Sequence, residues 1–149
     1  MTATLIDTNL LVYSFDLAEP TKKKIARKVL ENLQLYEQGY LCVQTVGELY
    51  NVVARGKLPT MTLSDAISQL EFLLQSFPVY PLTLGMIREA VRAVRDHQMS
   101  YFDAQIWASA LINEVPFVFS EDFSDGRVIE GVRFVNPFLE DFELEKWIQ

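Results

Sequence analysis

Four carboxylates in this chain of 149 residues have the type and placement that chemistry requires: Asp7, Glu48, Asp103 and Asp122. Asp7 follows directly on the apolar run Ala3-Thr4-Leu5-Ile6, and Asp122 lies just beyond Phe117-Val118-Phe119. If both runs are buried strands of one parallel sheet, both acids open onto the same sheet edge. Asp103 shares a helical face with Ile106, Trp107 and Ala110, at spacings of three, four and seven. A charge on a buried face is costly unless it is paired or bound to a metal. Each acid also has a plainer reading. An Asp at a strand end often only caps the next helix or turn. Asp103, in the first turn after Ser100, suits the helix dipole, and Thr45 with Glu48 fits a capping box.

Taken together, four carboxylates gathered at one point would repel one another, an arrangement that is unfavourable without cations. Hard oxygen ligands suit Mg²⁺ or Mn²⁺, and such ions can activate a water against a phosphodiester. No His/Cys zinc pattern competes. The sole histidine, His97, sits at a helix end, so a Ser-His-Asp triad would depend on it alone. Two basic stripes, Lys22-Lys23-Lys24 with Arg27 and Lys28, and Arg88, Arg92 and Arg95, read as solvated helix faces or as contacts to a nucleic-acid backbone.

The elements that must position these acids follow from periodicity. Residues 3–6 read as a strand ending in a polar turn at Asp7-Thr8-Asn9. Thr21 is expected to cap a helix over 21–37, with Ile25, Val29, Leu30 and Leu33 on its buried face and Gly39 ending it. A strand at Tyr40–Val43 precedes a helix through Val46, Leu49, Tyr50 and Val53 that closes near Gly56. Thr62 or Ser64 caps the next helix, which is expected to bury Ile67, Leu70, Leu74 and Phe77 before Pro78 breaks it. Val79-Tyr80 is a weak strand, and 83–97 is helical by the spacing of Ile87, Val91 and Val94. Ser100 caps a helix carrying Phe102, Ile106, Ala110 and Leu111. A strand at 117–119, a loop over 120–126 and a last strand at 132–135 complete the chain. Short apolar strands alternating with helices imply a mainly parallel sheet covered on both faces, a three-layer α/β/α sandwich. Ligands of such sheets gather beyond the carboxyl ends of the strands.

Composition bounds the class. The length suits a single domain over 1–149, with half of the residues hydrophobic and no repeat or Gly/Ser-rich linker. Cys42 has no partner for a disulfide and reads as a small buried side chain, which fits a reducing, cytoplasmic setting. No signal peptide and no segment able to span a bilayer are expected. A net charge of -7 opposes non-specific attraction to nucleic acid. Five of the acids, however, fall late in the chain, at Glu130, Glu140, Asp141, Glu143 and Glu145, and carboxylates that bind cations are neutralised when loaded.

Four fragments in order carry a family resemblance: Ile6-Asp7-Thr8-Asn9, Thr45-Val46-Gly47-Glu48-Leu49, Tyr101-Phe102-Asp103-Ala104 and Ser120-Glu121-Asp122-Phe123. With Gly131-Val132-Arg133 and Asn136-Pro137-Phe138 behind them, the sequence resembles the PIN-domain nucleases, in particular the VapC-like toxin ribonucleases. The resemblance implies a three-layer α/β/α fold and Mg²⁺- or Mn²⁺-dependent cleavage of RNA. It implies that Asp7, Glu48, Asp103 and Asp122 bind metal and shape the attacking water. Asn9 and Ser120 would support them by hydrogen bonds, and Asp125 would be an outer acid. It further implies an antitoxin partner and a homodimer. The acidic balance is the departure from that pattern. Two other readings compete. A haloacid-dehalogenase-like phosphatase would use Asp7 as nucleophile, but it needs a second Asp where this chain has Asn9. A non-catalytic binding module would keep the fold without the chemistry.

Overall fold

A computed structural model describes residues 2–55 and 62–148. Its elements run β1 (Thr4–Ile6), α1 (Thr8–Tyr13), α2 (Pro20–Leu35), β2 (Gly39–Cys42), α3 (Val43–Ala54), α4 (Leu63–Ser76), β3 (Val79–Tyr80), α5 (Leu84–His97), α6 (Tyr101–Ile112), β4 (Phe117–Phe119), β5 (Val128–Ile129) and β6 (Val132–Val135), followed by a 3-10 turn at Leu144–Lys146. The sheet order is β3-β2-β1-β4-β6-β5. Every pairing is parallel except that of β5 with β6.

Neighbouring residues on each central strand bury opposite faces, because side chains alternate along a strand. Leu5, Val118 and Phe134 join α5 and α6, with Trp107 in the middle of that layer. Ile6, Phe119 and Val135 join α1 to α4 and the C-terminal turn, with Leu10, Leu33, Leu49 and Phe77 among them. This is the expected α/β/α sandwich, and it leaves one strand-end edge free for a site. β1 and β4 are direct neighbours, with Ile6 opposite Phe119, and the Asp7 amide donates to the Phe119 carbonyl at 3.0 Å. Asp7 and the loop bearing Asp122 therefore do leave the sheet at the same edge.

Several local expectations are corrected. The turn at Asp7-Thr8-Asn9 is the start of the short helix α1, capped by Asp7 itself. Its apolar content, the run Leu10-Leu11-Val12, is too brief to reveal a 3.6-residue period. α2 begins at Pro20 rather than being capped by Thr21, since proline tolerates the first helical position. Gly39 does not end that helix but opens β2, where an added Cβ would lie 2.7 Å from the Phe77 ring. The expected end of α3 near Gly56 falls outside the described residues; the described part ends at Ala54 with Arg55 as its cap. Thr62 does cap α4, accepting from the Asp65 amide at 3.1 Å. Its buried stripe, however, is Ala66, Leu73 and the following Phe77, while Ile67 is exposed. On α5 the buried positions are Met86, Ala90 and Ala93, and Val91 and Val94 face solvent. Small side chains are on the inside there, where α5 packs along α6. α6 is buried on all sides from Ala104 to Ala110, so its pattern carries no single apolar face. β5 lies just beyond the loop read at 120–126 and was not anticipated.

Candidate active site

Asp7 is the centre of the group. It is 4% exposed, and its two oxygens are held separately. Oδ1 accepts from the Thr8 amide at 2.7 Å, and Oδ2 accepts from the Ser120 hydroxyl at 2.7 Å and, more distantly, from Asn9 Nδ2 at 3.4 Å. Asn9 Nδ2 also reaches Ser120 Oγ at 3.0 Å and Asp122 Oδ2 at 3.2 Å, and the Asp122 amide donates to Ser120 Oγ at 3.1 Å. The β1 end and the β4 end are thus stitched together by one hydroxyl and one amide. Burial pushes the Asp7 carboxyl up to about 6, against the pull of Ser120 and Thr8, with the nearby charges of Asp122 and Glu48 pushing the same way.

Glu48 joins through the next residue along. Thr8 Oγ1 donates to Glu48 Oε2 at 2.8 Å, and Gln44 Nε2 donates to Glu48 Oε1 at 2.7 Å. The capping-box reading of Glu48 falls away. α3 is capped at Cys42, so Glu48 lies in its second turn, and the Thr45 hydroxyl instead faces Cys42 Sγ at 3.2 Å. Asp103 does stand in the first turn of α6, half-buried, and Ser100 makes no side-chain cap there. Its carboxylate makes no hydrogen bond or ion pair among the described residues. The element carrying it is nonetheless tied to α3, since Gln44 Nε2 also donates to the Phe102 carbonyl at 3.2 Å.

The structure therefore links Asp7, Asp122, Asn9, Ser120 and Glu48 in one network and leaves Asp103 beside it. Asp125 is not part of it: its carboxylate accepts from the Asn136 amide at 2.8 Å and fixes the loop ahead of β5. Among the described residues no three side chains of His, Cys, Asp or Glu converge closely enough to enclose an ion as they stand. None of the four acids has a Lys or Arg partner among the described ion pairs. Several basic residues pair elsewhere. Lys22 reaches Glu121 at 2.9 Å and lies over the Tyr13 ring, and Lys28 reaches Glu145 at 3.7 Å. Arg92 engages Glu89 and Glu130, and Arg95 engages Asp96. His97 belongs to that second cluster, with Nε2 2.7 Å from Glu130 Oε2, and does not join the carboxylates. The sequence reading passed over Gln44 and Thr8, whose side chains orient Glu48. Both sit four residues or one strand end from a named acid, a spacing that only the folded arrangement makes meaningful.

The PIN domain family model matches residues 4–124, which contain Asp7, Asn9, Glu48, Asp103, Ser120 and Asp122 but not Asp125. The chain belongs to the PIN domain family. Solved structures agree with this PIN domain in fold. A toxin-antitoxin complex from Klebsiella pneumoniae matches with TM-score 0.66 at 20% identity, covering 91% of this chain and 98% of that one. A DNA-bound VapBC from Salmonella typhimurium gives 0.65 at 14% identity, covering 90% and 97%. VapBC2 from Rickettsia felis, bound to a DNA fragment from its promoter, gives 0.63 at 11%, covering 89% and 97%. No curated protein matches the chain in sequence. The PIN domain places the Asp7 network where an open α/β sheet binds its ligands, beyond the carboxyl ends of the parallel strands.

Proposed function

We propose that this PIN domain is a Mg²⁺- or Mn²⁺-dependent endoribonuclease of 149 residues in one domain, acting in the cytoplasm as the toxin of a toxin–antitoxin pair. The observation that carries the reading is the buried Asp7 carboxylate, joined through Asn9 and Ser120 to Asp122 and neighboured through Thr8 by Glu48. A carboxylate whose proton is held up to about 6 by burial is stabilised as an anion when a divalent cation sits against it. The donors are all hard oxygens, which fit Mg²⁺ or Mn²⁺. Mg²⁺ in particular is held by one or two carboxylates with the remaining positions filled by water, so an open group suffices. Asp7 and Asp122 would hold the ion, with Glu48 and Asp103 bordering it.

When bound, the cation supplies an activated water and stabilises charge on the scissile phosphate. The protein's own part is orientation. Ser120 and the Thr8 amide fix Asp7, Asn9 bridges to Asp122, and Thr8 with Gln44 holds Glu48 in one pose. The phosphatase alternative is disfavoured by the same geometry, because both Asp7 oxygens are engaged by donors and Asn9 offers an amide where a second acid is needed.

An antitoxin partner is supported by the apolar cleft between α3 and α4, lined by Phe15, Leu49, Tyr50, Val53, Ile67 and Leu70. A homodimer is supported by the exposed apolar positions Leu84, Val91 and Val94 along α5. The test is cleavage of single-stranded RNA with and without Mn²⁺ by the wild type, Asp7→Asn and Asp122→Asn. Loss of cleavage in both folded variants, and in the wild type with chelator, is expected. Undiminished cleavage by Asp7→Asn would remove the assignment.

A further inference from the structure

We infer that Gln44 is a positioning residue of the carboxylate centre, fixing Glu48 and setting its relation to the helix that carries Asp103. The inference rests on the metal-centre reading above. Gln44 stands at the second position of α3, one turn before Glu48. Its amide nitrogen donates to Glu48 Oε1 at 2.7 Å and to the Phe102 carbonyl at 3.2 Å. Phe102 immediately precedes Asp103, so one side-chain amide joins the two helices that carry the two helix-borne acids. The two acceptors also decide which end of the amide is which, since only nitrogen can serve both.

Glu48 is then clamped from two sides by neutral donors, Thr8 on Oε2 and Gln44 on Oε1. Neutral donors matter here. A Lys or Arg in that place would orient the carboxylate equally well, but would cancel the negative charge that a cation needs. The other end of the amide, Gln44 Oε1, is shut off from solvent and has no hydrogen-bond partner, and the same holds for Ser109 Oγ on α6. Both residues line one small cavity of about 10 Å³, roughly the room one water needs, with Gln105, Met86 and Leu82 and no charged group. A cavity bearing two unused hydrogen-bonding groups suits a bound water, and such a water would anchor the far end of the Gln44 amide. Among the described residues the Gln44 side chain makes no other hydrogen bond, and α3 is capped at Cys42.

Groups that orient a ligand without touching the metal commonly change affinity or activity by about 10–100-fold when removed. Gln44→Met keeps the length of the side chain and removes both donors. Calorimetric titration of the folded variant with Mn²⁺ is expected to show affinity about 10-fold or more below wild type. The Mn²⁺ electron paramagnetic resonance line shape should change with it. At saturating Mn²⁺ the KM for RNA should hold while kcat falls, because Gln44 would act on Glu48 and not on substrate. Should Gln44→Met fail to fold, Gln44→Ala at this half-exposed position answers the same question. Unchanged Mn²⁺ affinity in a folded variant overturns the inference while leaving the metal centre standing, provided Asp7→Asn has lost binding. If the wild type itself binds no Mn²⁺, the metal-centre reading falls and this inference falls with it.

Discussion

At the scale of single residues, Asp7 does two jobs that oppose each other energetically. As the cap of α1 it accepts the Thr8 amide, and as a buried acid it carries a charge that its surroundings resist. Its carboxyl is raised from 3.8 to about 6, so between those values the folded protein keeps a proton that the unfolded chain has released. Stability without divalent cation should therefore be highest below the unfolded value. It should fall by about 3 kcal/mol as pH rises through the folded one. Urea denaturation in chelator at about pH 4 and about pH 7.5 measures this. Asp7→Asn should flatten the trend and be more stable than wild type at the higher pH; equal slopes for the two proteins would refute it. Ser120 is the residue on which the pair most depends, because its fully buried hydroxyl donates to Asp7 and accepts from Asn9 and the Asp122 amide. Ser120→Ala leaves those groups short of a partner and should lower stability by about 1–3 kcal/mol, read as a shift in the urea midpoint.

At the scale of elements, the strand ends place the site and the helices brace it. Gly39 shows how tightly that bracing is packed. A methyl there would meet Phe77 at 2.7–2.8 Å and Ile6 at 3.1 Å, and Phe77 is itself buried between α4 and the sheet. Gly39→Ala should therefore cost about 1–3 kcal/mol by overpacking, visible as a lower Tm. It should leave the Mn²⁺ affinity of folded protein intact, since Gly39 pairs with Thr4 at the opposite end of the parallel strands from Asp7. The strands other than β5 and most helices were legible from their apolar pattern. α1 was not, since six residues are too few to display a period, and neither was the buried face of α5. There the apolar residues that look like core, Val91 and Val94, point outward, and alanines fill the interior where two helices approach closely.

For the molecule as a whole, charge and exposed apolar surface decide how partners are met. The net charge is -7, and Lys22, Lys28, Arg92 and Arg95 are already paired with acids of the same chain. The acidic balance should therefore keep RNA binding to few phosphate contacts, drawn from cations unpaired among the described residues, such as Lys23, Lys24 and Arg88. The slope of log K against log salt for a single-stranded oligonucleotide should be shallow, about -0.7 per contact with only one or two contacts. A steep slope would show a basic surface beyond these residues. The exposed Val91, in the apolar line along α5, gives the assembly test. Val91→Glu should shift a dimer toward monomer in analytical ultracentrifugation without lowering Tm. A dimer that persists unchanged would place the interface elsewhere.

The sequence by itself determined the layered α/β class and the two strand-end acids, because a buried strand and the polar turn after it are local signals. It also named Glu48 and Asp103, although each was equally readable as a helix-start acid. Tertiary structure decided between those readings for Glu48, by setting the α3 cap at Cys42 and bringing Thr8 and Gln44 to its two oxygens. It gave Ser120 and Asn9 their bridging place and withdrew Asp125 to the Asn136 amide. These are contacts between residues up to 113 positions apart. No periodicity records them, because hydrogen bonds among side chains depend on where strands end relative to one another, and only the assembled sheet fixes that.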